Sequence, residues 1–156
     1  MGKGSSWVQD GSSGECWQRG SVYGWVRMAK TIGVNDGGGT IRNSEGAVNE
    51  KEILWKQAKW VDYSGAITNK ALEGITLFDH PNNPNFPTYF HVRNDGWMGA
   101  SLTFDGPRKI QPDKPLHLRY GLYIHNGMKS PDTIEAKWKQ FSASPSETSE
   151  KTQKSK

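Results

Sequence analysis

The sequence predicts a mostly β protein. Eighteen glycines and eight prolines among 156 residues imply many turns and short elements. Two stretches, "TYFHVR" (Thr88 to Arg93) and "LHLRYGLYIH" (Leu116 to His125), alternate strictly, with the period of a half-buried strand. Between them, "PNNPNFP" (Pro81 to Pro87) excludes strand and helix interior, because proline lacks the N–H donor and fixes φ.

Residues 1–20 are rich in Gly and Ser and read as a flexible leader. "SVYGWVRMA" (Ser21 to Ala29) reads as a strand, and "GVNDGGGTIRNSEG" (Gly33 to Gly46) as loop. "EILWKQAKWVDYSG" (Glu52 to Gly65) mixes helix and strand signals, and its Trp and Val content favours one long strand. "GAITNKALEG" supplies a turn, and "GITLFDH" (Gly74 to His80) a buried strand ending at the proline loop. "TYFHVR" and "GWMGASLTF" (Gly96 to Phe104) are strands joined by the turn at Asn94-Asp95-Gly96, and "GPRKIQPDKP" is a second rigid loop. "SPDTIEAKWKQF" (Ser130 to Phe141) reads as a short helix. Ser130 is its N-cap, Pro131 sits at the first position, and Ile134, Trp138 and Phe141 share a face. The organisation expected is therefore a leader (1–20), one domain (21–141) and a polar, disordered tail (142–156).

The formal net charge is +4, the pI about 9.2 and the mean hydropathy −0.79. The basic excess is small and scattered, with no basic stripe interleaved with aromatics, so a nucleic-acid partner is not expected. No apolar run is long enough to span a bilayer, and the N-terminus lacks the apolar centre of a secretory signal. Cys16 is the single cysteine, so there is neither an intrachain disulfide nor a multi-cysteine metal site. No nucleophile elbow, Walker loop or dinucleotide fingerprint occurs.

The candidate site residues come from the alternating strands. In "LHLRYGLYIH", Leu116, Leu118, Tyr120, Leu122 and Ile124 point one way, and His117, Arg119, Tyr123 and His125 the other. In "TYFHVR", Tyr89, His91 and Arg93 share a face. If the two strands are sheet neighbours, arginines and histidines converge on one surface able to hold a carboxylate, a phosphate or a polyhydroxylated ligand. Trp97 or Tyr89 would supply a stacking platform. Asp79 and His80 end the buried strand. Asp79 reads best as an Asx-type partner of the proline loop, and His80 with His91 as the candidate acid/base groups. A metal would need histidines from separate strands, since no paired spacing such as HxH or HExxH occurs, and no cofactor is predicted.

The runs "GGTIRNSEG", "WKQAKWVDYSG", "GITLFDHPNNPNFPTYFHVRNDGW" and "LHLRYGLYIHNG" together resemble the PmoA-like family, bacterial proteins labelled "methane oxygenase PmoA" and otherwise filed as a domain of unknown function. Asn43 to Gly46, Trp60 to Gly65, Asp79-His80-Pro81, Asn83-Pro84, His91 with Arg93, and Arg119-Tyr120 carry the resemblance. Phe90 stands where Trp is expected, and Gly121 where a second Arg is common. The resemblance implies an antiparallel β-sandwich of the galactose-mutarotase type with one short C-terminal helix. It also implies that this chain corresponds to the C-terminal half of longer relatives, so the sandwich is expected to be incomplete, with exposed strand edges open to self-association. A periplasmic or secreted location stays open for intact relatives. A membrane copper oxygenase would need spanning helices, which this chain lacks. The expected function is carbohydrate-related. His80 and His91 would be catalytic, Arg93, Arg119 and His125 would hold substrate oxygens on a concave face, and Trp97 or Trp60 would stack on the sugar. A binding-only module, an inactive fragment and, more distantly, a metal-dependent oxygenase remain alternatives, with a small-molecule or glycan ligand as the partner.

Overall fold

A computed structural model of the chain describes residues 23–144 and two short strand segments at 8–9 and 16–18. The rest of the predicted leader, and the predicted tail beyond residue 144, lie outside the described residues.

The strands are β1 (Val8–Gln9), β2 (Cys16–Gln18), β3 (Tyr23–Arg27), β4 (Thr40–Asn43), β5 (Lys56–Gln57), β6 (Trp60–Thr68), β7 (Ala71–Asp79), β8 (Tyr89–Val92), β9 (Trp97–Ser101), β10 (Arg108–Ile110) and β11 (Tyr120–Asn126). The helices are α1 (Val34–Gly37), α2 (Asn49–Ile53) and α3 (Pro131–Ala143). Two four-stranded antiparallel sheets, ordered β11-β7-β6-β4 and β3-β9-β8-β5, form the sandwich, and β1-β2-β10 make a small third sheet. The expected antiparallel β-sandwich with one short C-terminal helix is found.

Alternation builds the core. Ile41, Val61, Tyr63 and Leu77 point inward from the first sheet and meet Phe90, Val92, Met98 and Ala100 from the second, all essentially sealed from solvent. Each large apolar side chain so buried contributes roughly 2 kcal/mol. The Tyr63 hydroxyl accepts from Val34 N (3.2 Å) and can donate to Arg93 O or Asn94 O (3.2 and 3.1 Å), tying the two sheets at one end. Helix α3 seals the outer face of the first sheet. Its Ile134, Trp138 and Phe141 pack on Trp60, Phe78 and Tyr123, and Ser130 Oγ accepts from Thr133 N at 3.2 Å. The predicted N-cap and apolar face are therefore as expected.

Several elements differ from expectation. The stretch 33–46, read as loop, carries α1 and β4, and "GPRKIQPDKP", read as a rigid loop, carries β10; both strands are fixed by pairing with distant partners, β4 with β6 and β10 with β2, which local sequence does not state. The turn read in "GAITNKALEG" shrinks to residues 69–70, the rest being the end of β6 and the start of β7. The stretch 52–65 is not one strand but α2, β5 and β6. Local hydrogen bonds override the β-favouring composition here. Glu52 Oε2 accepts from Val48 N (2.8 Å), Asn49 Oδ1 from Ile41 N (2.9 Å), and Leu54 N donates to Glu50 O (2.9 Å).

The predicted strand 116–125 begins only at Tyr120, which pairs with Asp79, the last residue of β7. Before it, Arg119 spends both backbone groups on Asn83, its N–H on Oδ1 and its carbonyl on Nδ2, each at 2.7 Å. The faces of β11 are also reversed in exposure. The polar side carries buried His125, while Leu122 is 58% and Ile124 71% exposed. Ile124→Lys is accordingly expected to change stability by no more than about 0.5 kcal/mol, which a thermal melt would show as an almost unmoved midpoint. A large drop would mean that this face is covered in solution.

Candidate functional site

The seven residues expected to form a site fall into three places. His91 and Arg119/His125 do not converge, because β8 and β11 belong to different sheets. The supposed adjacency of these strands is corrected by the topology: each strand projects its polar face outward on opposite sides of the sandwich.

The first place is a buried polar cluster beneath the Asn126–Ser130 segment. Arg42, Asp62 and Thr76 are register partners across β4, β6 and β7. Asp62 is sealed from solvent. It accepts from Ser64 Oγ (2.7 Å), Thr76 Oγ1 (2.8 Å) and Arg42 Nη2 (3.2 Å), and its Oδ1 lies 2.8 Å from His125 Nε2. His125 Nδ1 lies 2.9 Å from Gly127 O, and Arg42 also donates to Lys129 O at 2.7 Å. Gly74 makes room for the imidazole, since a Cβ there would sit 2.3 Å from His125 Cε1. Both ring nitrogens of His125 are thus engaged internally, away from any ligand. Trp60 is similarly enclosed on the same face, with its indole N–H on Glu135 Oε2 at 2.9 Å. Of this polar cluster only His125 is a site candidate in the sequence. Asp62 and Ser64 lie in a stretch that reads as one long strand, and Thr76 in one that reads as a buried strand, with no site signal of their own.

The second place is the end of the first sheet. Asp79 Oδ1 accepts from Asn83 Nδ2 (2.7 Å) and Oδ2 from Thr88 N (2.8 Å), so one carboxylate clamps both ends of the proline loop. Asp79 does serve the loop, as expected, but not as an Asx turn: Pro81 two residues on has no N–H, and the bonds come from the Asn83 side chain and from Thr88 N instead. Beside it, His80 Nδ1 accepts from Asn82 N (3.1 Å) and Nε2 lies 3.3 Å from Arg119 Nη1. Burial, then the Arg119 charge, pushes the His80 imidazole down. Arg119 is committed to the C-terminus of α3, donating to Ser144 O and Oγ at 2.7 Å each and lying over the Phe141 ring at 5.2 Å. Gly121 admits that ring, since a Cβ there would come 3.0 Å from it. His80 and Arg119 therefore do meet, at the end of the helix and away from His91.

Asp79 gives this end a pH signature. Burial raises its pKa to about 6, against the hydrogen bonds from Asn83 and Thr88. The unfolded chain releases that proton near pH 4. Between the two values the folded state binds more protons, so raising the pH costs stability. Two pH units correspond to about 3 kcal/mol. The stability advantage of Asp79→Asn over wild type should therefore grow by up to about 3 kcal/mol from pH 4 to pH 7, whatever the fixed offset from the altered hydrogen bonds. Urea unfolding at four pH values measures it, and parallel curves would refute it.

The third place is the outer face of the second sheet. His91, Arg93 and Trp97 lie here in adjacent rows, with Arg93 N donating to Trp97 O at 2.8 Å. The Trp55 ring stacks on Phe104 (4.7 Å between centroids, 14° between planes), and His91 meets Trp55 edge-on at 4.8 Å. Tyr89 extends the row, 4.7 Å from Phe104. Arg27 lies over the Trp97 ring at 4.5 Å, and Arg93 Nε is paired with Glu50 Oε1 at 3.1 Å. Burial, then Arg93, pushes the His91 imidazole down, against Glu50 and Asp95, so it is neutral near pH 7. Trp55 has φ +60, the left-handed region. It follows the C-cap of α2, where glycine is the usual occupant, and its N–H is fixed on Phe90 O at 2.8 Å. A tryptophan held there costs about 1–2 kcal/mol of backbone strain. Neither Trp55 nor Phe104 stands out in the sequence, because both fall in stretches that read as strand, whereas each lies outside the strands of the structure.

A family model described as "Family of unknown function (DUF6807)" matches residues 19–139, a span that takes in the whole sandwich and most of α3. The chain belongs to that family. No curated protein and no solved structure matches it. The DUF6807 description carries neither an oxygenase nor a carbohydrate activity. Among the described residues of this DUF6807 chain, no three His, Cys, Asp or Glu side chains gather as metal ligands, and no helix is long and apolar enough to cross a membrane.

Proposed function

We propose that this DUF6807 protein binds a sugar-type ligand on the aromatic shelf formed by Trp55, Tyr89 and Phe104, with His91 at its margin and Arg93 and Trp97 farther along the same sheet face. The carrying observation is Trp55, a large aromatic kept in a strained backbone position and stacked on a half-exposed phenylalanine. Strain of this kind persists where a side chain must be presented in one orientation. Flat aromatic faces suit the C–H faces of a pyranose, while Arg93, Glu50 and the His91 imidazole suit its hydroxyls. The PmoA-like resemblance, with its implied sugar-handling fold, supports the same reading by analogy of fold.

A processing role on this surface would fall to His91, a neutral imidazole able to take a proton at pH 7. His80, His125 and Arg119 would take no part in it, because their polar groups are spent inside the protein. Self-association through the free edge of β11 is a separate proposal, supported by its exposed Leu122 and Ile124. The test of the main reading is binding to a panel of soluble polysaccharides before and after Phe104→Ala. The variant should lose affinity with its unfolding midpoint lowered by only a few degrees, the effect of the lost stack on Trp55, and equal affinity would remove the shelf from function.

A further inference from the structure

Beyond the shelf, a groove of about 380 Å³ runs between the proline loop and the segment that carries β10. One wall is Asn82 and Pro84, and the other presents Arg108, Lys109, Lys114 and His117. Its volume falls in the lower part of the range for small-ligand sites, about 300–1,000 Å³. We infer that this groove is a second binding subsite and takes the anionic group, carboxylate or sulfate ester, of an acidic polysaccharide whose neighbouring units lie on the aromatic shelf.

Three permanent cations line one side of a short groove. Among the described residues Asp105 stands beside them and contacts Arg108 Nη2 through both carboxylate oxygens at 3.3 Å. Asp113, exposed on the same segment, is not among the lining residues. The walls are fixed relative to one another. Asn85, at φ +63, donates from Nδ2 to Asp105 Oδ2 at 2.8 Å, and Asp79 clamps the proline loop from behind. On the opposite wall, Lys114 N closes a turn on Gln111 O at 3.1 Å. The groove is tied to the shelf through one residue: Asp105, the partner of Arg108, directly follows Phe104 in the chain. Cations beside aromatics in that order match a chain that alternates apolar faces with negative charge. A nucleic acid is the poorer fit, because three cations neutralise few phosphates and, among the described residues, no wider basic stripe continues the groove.

The inference rests on the shelf reading, and one experiment separates the two. The full chain is titrated with polygalacturonate, with its fully methyl-esterified form and with dextran sulfate, as wild type, as Lys109→Glu/Lys114→Glu and as Phe104→Ala. The wild type should bind polygalacturonate about tenfold more tightly than the neutral ester. That preference should vanish in the charge-reversed variant and in about 0.5 M NaCl, where the Debye length falls to about 4 Å. Both lysines are exposed, so the variant should keep the wild-type melting midpoint. Tight binding of dextran sulfate would assign sulfate as a source of the anion, and its absence would assign carboxylate. Equal affinity for acid and ester, a preference that survives charge reversal, no binding of either polymer, or displacement by single-stranded DNA at lower concentration would overturn the subsite. If the shelf reading alone fails, Phe104→Ala will leave ester binding untouched while charge reversal still removes the acidic preference.

Discussion

Asp62→Asn should lower the thermal unfolding midpoint by roughly 10–20 °C. The carboxylate is the common acceptor for Ser64, Thr76, Arg42 and His125, within 2.7 to 3.2 Å and without access to water. An amide keeps the shape but turns one acceptor into a donor, which then faces hydroxyl or guanidinium hydrogens. Breaking a buried ion pair on one side costs about 3–5 kcal/mol, and domains of this size lose roughly 3–5 °C per kcal/mol. Total stability of small domains is about 5–15 kcal/mol, so the loss is large. His125→Ala combined with Asp62→Asn should cost clearly less than the sum of the two single changes, because the residues share one network. Near-additive losses in that cycle, or an unmoved midpoint for Asp62→Asn, would show that the cluster does not hold β4, β6, β7 and β11 together.

That cluster shows where the sequence is readable and where it is not. Alternation in "TYFHVR" placed Phe90 and Val92 in the core and His91 with Arg93 outside, because a strand's period is local information. Ser130, Pro131 and the Ile134/Trp138/Phe141 face announced α3 for the same reason. Asp79 was legible as a loop clamp, since its partners Asn83 and Thr88 are close in sequence. What the strand pattern lacked was the identity of the covering layer. On β11 the apolar side was expected inside, yet the Asn126–Ser130 segment folds over His125 and α3 covers Tyr123, while Leu122 and Ile124 stay in the open. Which strands are neighbours was equally beyond reach. Tyr120 pairs with Asp79 across forty residues, and nothing in either stretch states that β8 lies in the other sheet. Trp55 was hidden for a third reason. A left-handed residue after a helix C-cap is normally signalled by glycine, and here the signal is replaced by the residue whose placement raises the question of function.

Trp55→Gly is the substitution that tests that placement most sharply. Glycine adopts φ +60 without the steric cost borne by a tryptophan, so the backbone gains about 1 kcal/mol. Against this stands the lost contact of the indole with Phe104 and His91, a partly buried stack that contributes on the order of 1–2 kcal/mol. The two nearly offset one another, and the variant should melt within a few degrees of wild type. Ligand binding has no such compensation. An aromatic anchor at the centre of a recognition surface is commonly responsible for 2 kcal/mol or more, so affinity for the cognate polysaccharide should fall by about thirtyfold or beyond. A smaller loss, several-fold, should follow His91→Ala if the surface only binds. If the protein also turns its ligand over, His91→Ala should abolish turnover while leaving affinity within that several-fold range. The decisive comparison is stability against binding in the same variant. Large destabilisation without a binding phenotype would make Trp55 a packing residue of the α2–β5 corner, whereas preserved folding with lost affinity ties the strained backbone to ligand recognition.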